Sequence, residues 1–540
     1  MTELPSHVVG DRVNPQNGRD ASGGSFLHWP TLTALLDQHA QSRPDHAAVV
    51  CGSDRLTYGQ LQDRQRAASA MLAACQLRAG DRVLWLGQNC HRLLELVLAA
   101  AQLGASVCPV NWRNSAAEIG FVIDDLRPRV VVWQDEEIGD QVRAGRALAG
   151  DDAIWIQLDG TGPDGYEQML VSAVLGGSPS DDARADAPVY LIYTAAHDGR
   201  PGASQLTTVN LVAQANVIGT LFHSDADQVF LNSGPLFHIG TAQHMFATFV
   251  WGGTNVFARR SEAIELCRLI HEQRCTSAFL VAPQVVEMLQ ADPEARFDLT
   301  CLRSPLTMVP GWSDRVSADH SPWGRRIGGY GQTEVTGFCL YAALGSGQHS
   351  YTAGGPTPFS AVRIVDDMSN DLREGEVGEI VVSGALVHAG YWNRPEENIR
   401  RTRSGAWHTT DLGRRQPDGQ IAFVGTATRI IKSAAENIYP AEVELCLLSH
   451  PAVQEAAVIG VPDVHWVQSV RAIIVLRDGK HVTEEEIIDY CRSKIASFKK
   501  PRSVVFAPYL PRAEGGIDYV ALDAAHGGGA YVGNTTSHGH

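Results

Sequence analysis

Lysine is nearly missing from this chain of 540 residues. It occurs only as Lys432, Lys480, Lys494, Lys499 and Lys500, so every basic charge before residue 432 is an arginine. Any chemistry that needs an ammonium group in that long first part is therefore excluded. The ten cysteines contain no C-x-x-C pair and no Cys/His spacing of a metal site. That argues against zinc and, in a chain this long, against a disulfide scaffold; a reducing cytoplasm is the simplest home. No apolar run reaches about 18 residues, so no transmembrane helix is expected. The first residues lack the basic start and apolar stretch of a signal peptide. Positive charge is also short overall, with 44 Lys and Arg against 60 Asp and Glu and a net charge of −16. Nucleic acid and anionic membrane are poor partners for such a surface. No internal repeat of fixed period is present.

What is there reads as a soluble α/β protein, 44% apolar and 19% charged. Its length is too great for one core, and two or three domains are expected. Residues 1–25 are polar and rich in Gly, Pro and Asn, the composition of a flexible arm. From there short apolar runs alternate with amphipathic stretches. DRVLWLG, ASVCPVN and RVVVWQD read as buried strands, and CHRLLELVLAAAQLG and AAEIGFVIDDL as the helices between them. That alternation predicts a parallel-rich sheet with helices on its faces. Thr31 and Thr57 stand where helix N-caps belong. A smaller β-rich region spans roughly 351–424. The large domain is expected over 26–424 and a hinge over 425–430. A small mobile α+β domain, two helices on a three-stranded sheet, is expected over 431–522, and a flexible Gly/His tail over 523–540.

The stretch IGGYGQTEVTG at 327–337 carries the first chemical signal. Its glycines permit a sharp turn and close approach to a ligand. Tyr330 offers a flat face for a ring, Thr333 a hydroxyl for an anionic oxygen, and Glu334 a hard oxygen suited to Mg²⁺. Around it stand LTYGQL at 56–61, PLFHIG at 235–240, GEIVVSG at 378–384, WHTTDLG at 407–413, IIKSAAENIYPAEVE at 430–444 and LPR at 510–512. In this order they resemble the adenylate-forming superfamily of acyl- and aryl-CoA ligases, luciferases and peptide-synthetase adenylation domains, over about residues 56–518. The resemblance implies ATP with Mg²⁺ and CoA as cofactors and a small carboxylic acid as substrate. It implies that Tyr330, Thr333 and Asp411 hold nucleotide, that Glu334 holds the metal, and that His238 borders the carboxylate pocket.

The chain departs from that family where ATP is handled. The family's phosphate loop reads roughly Y-T-S-G-T-T-G-x-P-K-G; here it runs Tyr193, Thr194, Ala195, Ala196, His197, Asp198, Gly199, Arg200, Pro201, Gly202, Ala203. Hydroxyls are gone, the lysine is a glycine, and Asp198 sets a negative charge where a polyanion would sit. Arg200 is the candidate replacement cation. Met308 and Val309 stand at the small positions of the adenine loop, and bulky side chains there are expected to fill the slot. Thr410 replaces the glycine before Asp411. Thr426 and Thr428 replace the hinge charges, although Lys432 is kept. Ala434 and Ala435 replace two glycines of the pantetheine tunnel. The segment LPRAEGGIDY, where the family has L-P-x-T-x-x-G-K, contains no lysine.

Three readings follow. In the first, the protein is a repurposed enzyme that binds an aryl or acyl acid, or a derivative, without efficient adenylation, in specialised metabolism. Its catalytic candidates are His197 beside Asp198, His238 and Lys432; imidazole is the side chain suited to proton transfer near neutrality. A solvated turn is the plain alternative for His197 and Asp198, and a packed turn for His238. The second reading is a slow conventional ATP-dependent acid–CoA ligase. The third is a non-catalytic binding protein. A homodimer is compatible with any of them.

Overall fold

The structure is a computed structural model that describes residues 29–150, 152–173, 181–194, 201–304, 309–325, 329–342, 353–426, 430–433, 436–513 and 516–529. It has a large N-terminal domain and a smaller C-terminal one, both α/β. A six-stranded sheet runs in the order Ile154–Gln157, Val130–Trp133, Arg82–Leu86, Ser106–Pro109, Pro188–Thr194, Gly202–Thr207. The first five are parallel and the last is antiparallel to its neighbour. These strands are short apolar runs buried on both faces, as sheets covered by helices must be; all four residues of Ser106–Pro109 are buried. A second sheet of five strands, led by Ser277–Ala278, Val229–Asn232, Thr254–Phe257 and Ala47–Cys51 in parallel, packs beside it.

Helices begin where local chemistry tells them to. Thr57 accepts the amide of Gln60 at 3.3 Å, while the Gln60 side chain accepts the amide of Thr57 at 2.9 Å. This reciprocal pair satisfies two donors that the first turn would leave bare. Ser115 and Glu118 repeat it ahead of helix Ala116–Leu126. Thr31 caps Leu32–Ser42 as its position predicted.

An eight-stranded antiparallel sheet follows, larger than the sequence suggested. It recruits Gly329–Gln332 and Gly337–Tyr341 ahead of strands Ala353–Pro356, Ser360–Val365, Val377–Gly384, Ala406–Arg415 and Ile421–Thr426. GYGQ is thus a strand, hairpinned through the short turn Thr333–Val335, and not a loop at a strand end. Glycine makes the hairpin possible, since a Cβ at Gly331 would collide with the carbonyl of Gly337.

The C-terminal domain holds a five-stranded sheet where three strands were expected. The hairpin Ile431–Ser433 and Glu436–Ile438 joins the long pair Val453–Asp463 and Val467–Leu476, with Ser503–Phe506 parallel on the far side. The region read as a flexible tail begins as helix: Tyr519–His526 is capped by Asp518 and ended by Gly527 at φ 72°. The arm expected over 1–25 and residues 530–540 lie outside the described residues. No helix among the described residues is long and apolar enough to cross a membrane.

The two domains meet on helix Ala116–Leu126. The ammonium of Lys499 lies 2.7 Å from Glu118 of the large domain and 2.6 Å from Glu442 of the small one. The three side chains keep only 14%, 16% and 12% exposure. Burial alone would push the ammonium pKa down; the two carboxylates outweigh it and hold the pKa above its ordinary value. Removing one member of such a group leaves uncompensated charge behind. Lys499→Met should therefore cost about 3–5 kcal/mol in urea denaturation, and adding Glu118→Gln with Glu442→Gln should recover most of the loss. An unchanged midpoint for the single variant would show that water, not the ammonium, satisfies the carboxylates.

Candidate functional site

A cavity of about 450 Å³ opens at the carboxyl ends of Ser106–Pro109 and Pro188–Thr194, between the two domains. Ligands of open α/β sheets bind at such strand ends. Six residues singled out in the sequence line it together: His238, Tyr330, Thr333, Glu334, Asp411 and Lys432. His197, Asp198 and Arg200 lie outside the described residues, but Thr194 and Pro201 on either side of that segment both line the cavity. Both ends are anchored to one ion pair. The Tyr193 hydroxyl donates to Asp125 at 2.8 Å, Arg394 binds Asp125 at 2.8 Å, and Arg394 also donates to the carbonyl of Pro201 at 2.9 Å.

Asp411 is deeply set, with 6% exposure. One oxygen, Oδ2, accepts the Tyr330 hydroxyl at 2.8 Å and the Gln332 amide at 2.6 Å. Burial pushes its pKa up to about 6 against the pull of those two hydrogen bonds. The ring of Tyr330 is itself buried and stacks on Phe423, with centroids 5.6 Å apart. Thr410, just before Asp411, has φ 61°. A β-branched residue is strained there, where the family's glycine would not be.

Glu334 is held in the same manner. At 7% exposure it accepts the Tyr391 hydroxyl at 2.6 Å on Oε1. The Tyr391 ring also explains Gly202, which stands at the family's lysine position. A Cβ there would lie 3.2 Å from the ring, tight enough that any side chain presses on the tyrosine holding Glu334. Thr333 lines the cavity from the turn beside it.

His238 caps helix Ile239–Val250. Its Nδ1 accepts the amide of Gly240 at 3.0 Å, which leaves the hydrogen of the neutral ring on Nε2. Burial first, then the Lys432 charge, lowers its pKa. Lys432 projects from the C-terminal hairpin. Crowding by protein lowers its pKa, while Asp411 pulls the other way. His244 faces elsewhere, stacked between Phe230 and Phe279 with centroids 5.2 Å from each, and it does not line the cavity.

Two readings change with the fold in view. Val309 packs in the core with Leu299, Leu302 and Trp312, and so does not fill the cavity; Met308 lies outside the described residues. Cys51, Cys90 and His91, which show no ligand spacing along the chain, converge within 4.8 Å of one another because strand Ala47–Cys51 meets the start of helix His91–Gln102. None of the three lines the cavity. At the C-terminal motif, Ile517 packs against the apolar cluster of Ala457, Ile459 and Leu510. The sequence reading also missed Arg401, a buried arginine in the cavity wall. It sits in the run Ile399–Arg403, where three arginines in five residues look like a solvated face.

Two sheets of a large domain, a small capping domain and a cavity between them define the architecture of an adenylate-forming enzyme. Residues 36–392 match the AMP-binding enzyme family, and residues 442–516 match the AMP-binding enzyme C-terminal domain. The chain belongs to this family and is an acyl/aryl-CoA ligase-like enzyme. It is 32% identical over 512 residues to a feruloyl-CoA synthase of Amycolatopsis sp, covering 90% of this chain and 96% of the relative. It is 29% identical over 489 residues to an indoleacetate–CoA ligase of Aromatoleum aromaticum, covering 89% and 95%. Among solved structures it resembles an o-succinylbenzoate CoA synthetase of Bacillus subtilis, with TM-score 0.74 and 25% identity over 91% of this chain and 98% of that one. An amide bond synthetase of Marinactinospora thermotolerans shares the fold at TM-score 0.77 and 20% identity, covering 92% and 100%.

The geometry around Asp411 gives two expectations. A carboxyl moved from 3.8 to about 6 binds its proton more tightly folded than unfolded. This stabilisation is full below about pH 4 and disappears as pH rises through about 6. Asp411→Asn should therefore raise stability by about 1–3 kcal/mol at pH 7.5 and by almost nothing at pH 4; a pH-independent difference in urea unfolding would refute this. Thr410→Gly should add about 1 kcal/mol by relieving the left-handed backbone, read as a higher midpoint in the same titration.

Proposed function

We propose that this protein binds an aromatic or acyl carboxylic acid in the cavity and does not adenylate it efficiently, acting instead as a repurposed, ATP-independent member of its family. The observation that carries this reading is the state of the two carboxylates meant for ATP and Mg²⁺. Asp411 and Glu334 are buried and already hold tyrosine hydroxyls. Mg²⁺ is ordinarily held by one or two free carboxylates together with phosphate oxygens. Here one oxygen of Glu334 is already engaged, and a side chain at Gly202, the family's lysine position, would press on the Tyr391 ring. The Tyr330 and Gln332 bonds both fall on Oδ2 of Asp411, so a ribose could still reach this carboxylate, a poor fit for a nucleotide whose phosphate loop has lost its lysine. When bound, ATP would supply the activating phosphate and CoA the thiol acceptor; neither is given a role in this reading.

The wall of the cavity suits an organic acid better. Phe121, Ile192, Phe237 and Phe423 give apolar surface, and Lys432 gives a cation in the wall. The Nε2–H of the neutral His238 ring is a hydrogen-bond donor in the same wall. The acids in the names of the similar proteins, ferulate and indoleacetate, are of the size and class expected. Catalytic roles for His197 and Asp198 remain part of the proposal, since both ends of their segment reach the cavity.

The test is calorimetric titration of the full chain with ferulate and indole-3-acetate, with and without ATP and Mg²⁺, alongside pyrophosphate release. Acid binding that is indifferent to ATP, with no pyrophosphate, is the expected result. Acid-dependent pyrophosphate release would sink it and favour the slow conventional ligase. In that case Ala434→Gly with Ala435→Gly should speed thioester formation. In the expected case the pair changes nothing.

A further inference from the structure

Arg401 is 3% exposed and lines the cavity, yet its hydrogen-bonding groups are poorly matched by the protein. Its Nε and Nη1 are buried with no hydrogen-bond partner. Glu397 is 3.4 Å from Nε and is shared with Arg400. The guanidinium lies over the Trp407 ring at 5.2 Å, a contact that stabilises charge but satisfies no donor. Behind it the indole Nε1 of Trp407 and Nε2 of His388 are buried and unpartnered as well. The other ring nitrogen of His388 is 2.8 Å from the Ser204 hydroxyl. Four unsatisfied nitrogens thus cluster around one guanidinium at the cavity wall.

A buried guanidinium that shares its ion-pair partner and leaves two donors unbonded calls for a further acceptor. Asp411 and Glu334 accept from Tyr330, Gln332 and Tyr391, and neither takes a hydrogen bond from Nε or Nη1 of Arg401. A guanidinium presents parallel donors that match the two oxygens of a carboxylate. We propose that Arg401 is the carboxylate-binding residue of the cavity, gripping the anionic end of an aromatic acid from the β-sheet side. The inference rests on the acid-binding reading above and names the group that does the binding. It also supplies, from an unexpected side, the cation that the C-terminal segment lacks at Ile517.

The experiment compares ferulate with its uncharged analogue ferulamide by calorimetry on the full chain. Wild type should prefer the acid by about 10- to 100-fold, the range of charge-assisted hydrogen bonds. Arg401→Met should bring ferulate down to the affinity of ferulamide without changing the latter; Arg401→Lys should fall between. Glu397→Gln, at a half-buried position beside the guanidinium, removes the competing carboxylate and should tighten ferulate several-fold while leaving ferulamide alone. That variant keeps the test sharp if Arg401→Met fails to fold. An undiminished acid preference in Arg401→Met, or no change in Glu397→Gln, overturns the assignment while the acid-binding reading stands. Loss of ATP affinity alone in Arg401→Met would assign the arginine to a phosphate and overturn it too. Wild type that binds neither ferulate nor indole-3-acetate would sink the acid-binding reading, and this one with it.

Discussion

Two tyrosine hydroxyls donated to two buried carboxylates hold the centre of this molecule together. A carboxylate taken out of water without a partner costs several kcal/mol or gives up its charge. Tyr391 meets that need at Glu334, and Tyr330 meets it at Asp411. Tyr391 can do so because its own segment is stitched to the parallel sheet. Trp392 donates to the carbonyl of Ala203 at 2.7 Å, Gln205 to Gly390 at 3.0 Å, and Ala389 back to Gln205 at 2.9 Å. The amide of His388 then donates to the carbonyl of Glu334 at 2.9 Å. Parallel sheet, antiparallel sheet and the turn Thr333–Val335 therefore meet through one short segment, and the cavity is the space they leave.

The consequence is electrostatic. The carboxylates that could hold a metal and a ribose line the cavity with one oxygen each already accepting a tyrosine hydroxyl, although burial still outweighs those bonds at Asp411. The cations that line it, Arg401 from the end of helix Pro395–Arg401 and Lys432 from the C-terminal hairpin, are only partly answered. A nearly dry site in which positive groups are the ones short of partners attracts a single compact anion. A triphosphate would need several cations arrayed along its length. On the proposed reading, the departures from the family that would weaken the site for a triphosphate favour a smaller anion in the same cavity.

Much of this was legible from the chain, and the limits of reading it have physical causes. Short apolar runs between capped helices give the parallel sheet because both signals are local: a strand buried on two faces is apolar throughout, and a capping box needs only four residues. The landmark motifs placed Asp411, Glu334, Tyr330, Thr333, His238 and Lys432 around one space through their resemblance to the family's motifs, and all six line the cavity. What escaped depends on burial that sequence does not encode. Arg400, Arg401 and Arg403 look alike on paper, and only the turn from helix Pro395–Arg401 into strand Thr402–Arg403 tips one of them inward. Val309 looked like an obstruction and is core, since a loop residue's direction is set by neighbours distant in sequence. Cys51, Cys90 and His91 belong to different elements, so their convergence leaves no spacing to find.

The scarcity of lysine takes on meaning in this setting. Of five lysines, Lys432 and Lys499 both line the cavity, and both come from the C-terminal domain. Elsewhere the chain answers its carboxylates with arginine, whose planar fork suits one carboxylate gripped edge-on. The pair of Arg184 with Asp186 is an example, Nε and Nη2 donating to the two carboxylate oxygens at 3.0 and 2.8 Å. Lys499 must satisfy two carboxylates from two domains at 2.7 and 2.6 Å, a task for a compact ammonium with donors pointing in several directions. That contact seats the domain that brings Lys432 over the cavity. The large domain therefore supplies the walls and Arg401, but the site is complete only when the small domain is docked, and the ammonium that docks it forms part of the cavity wall.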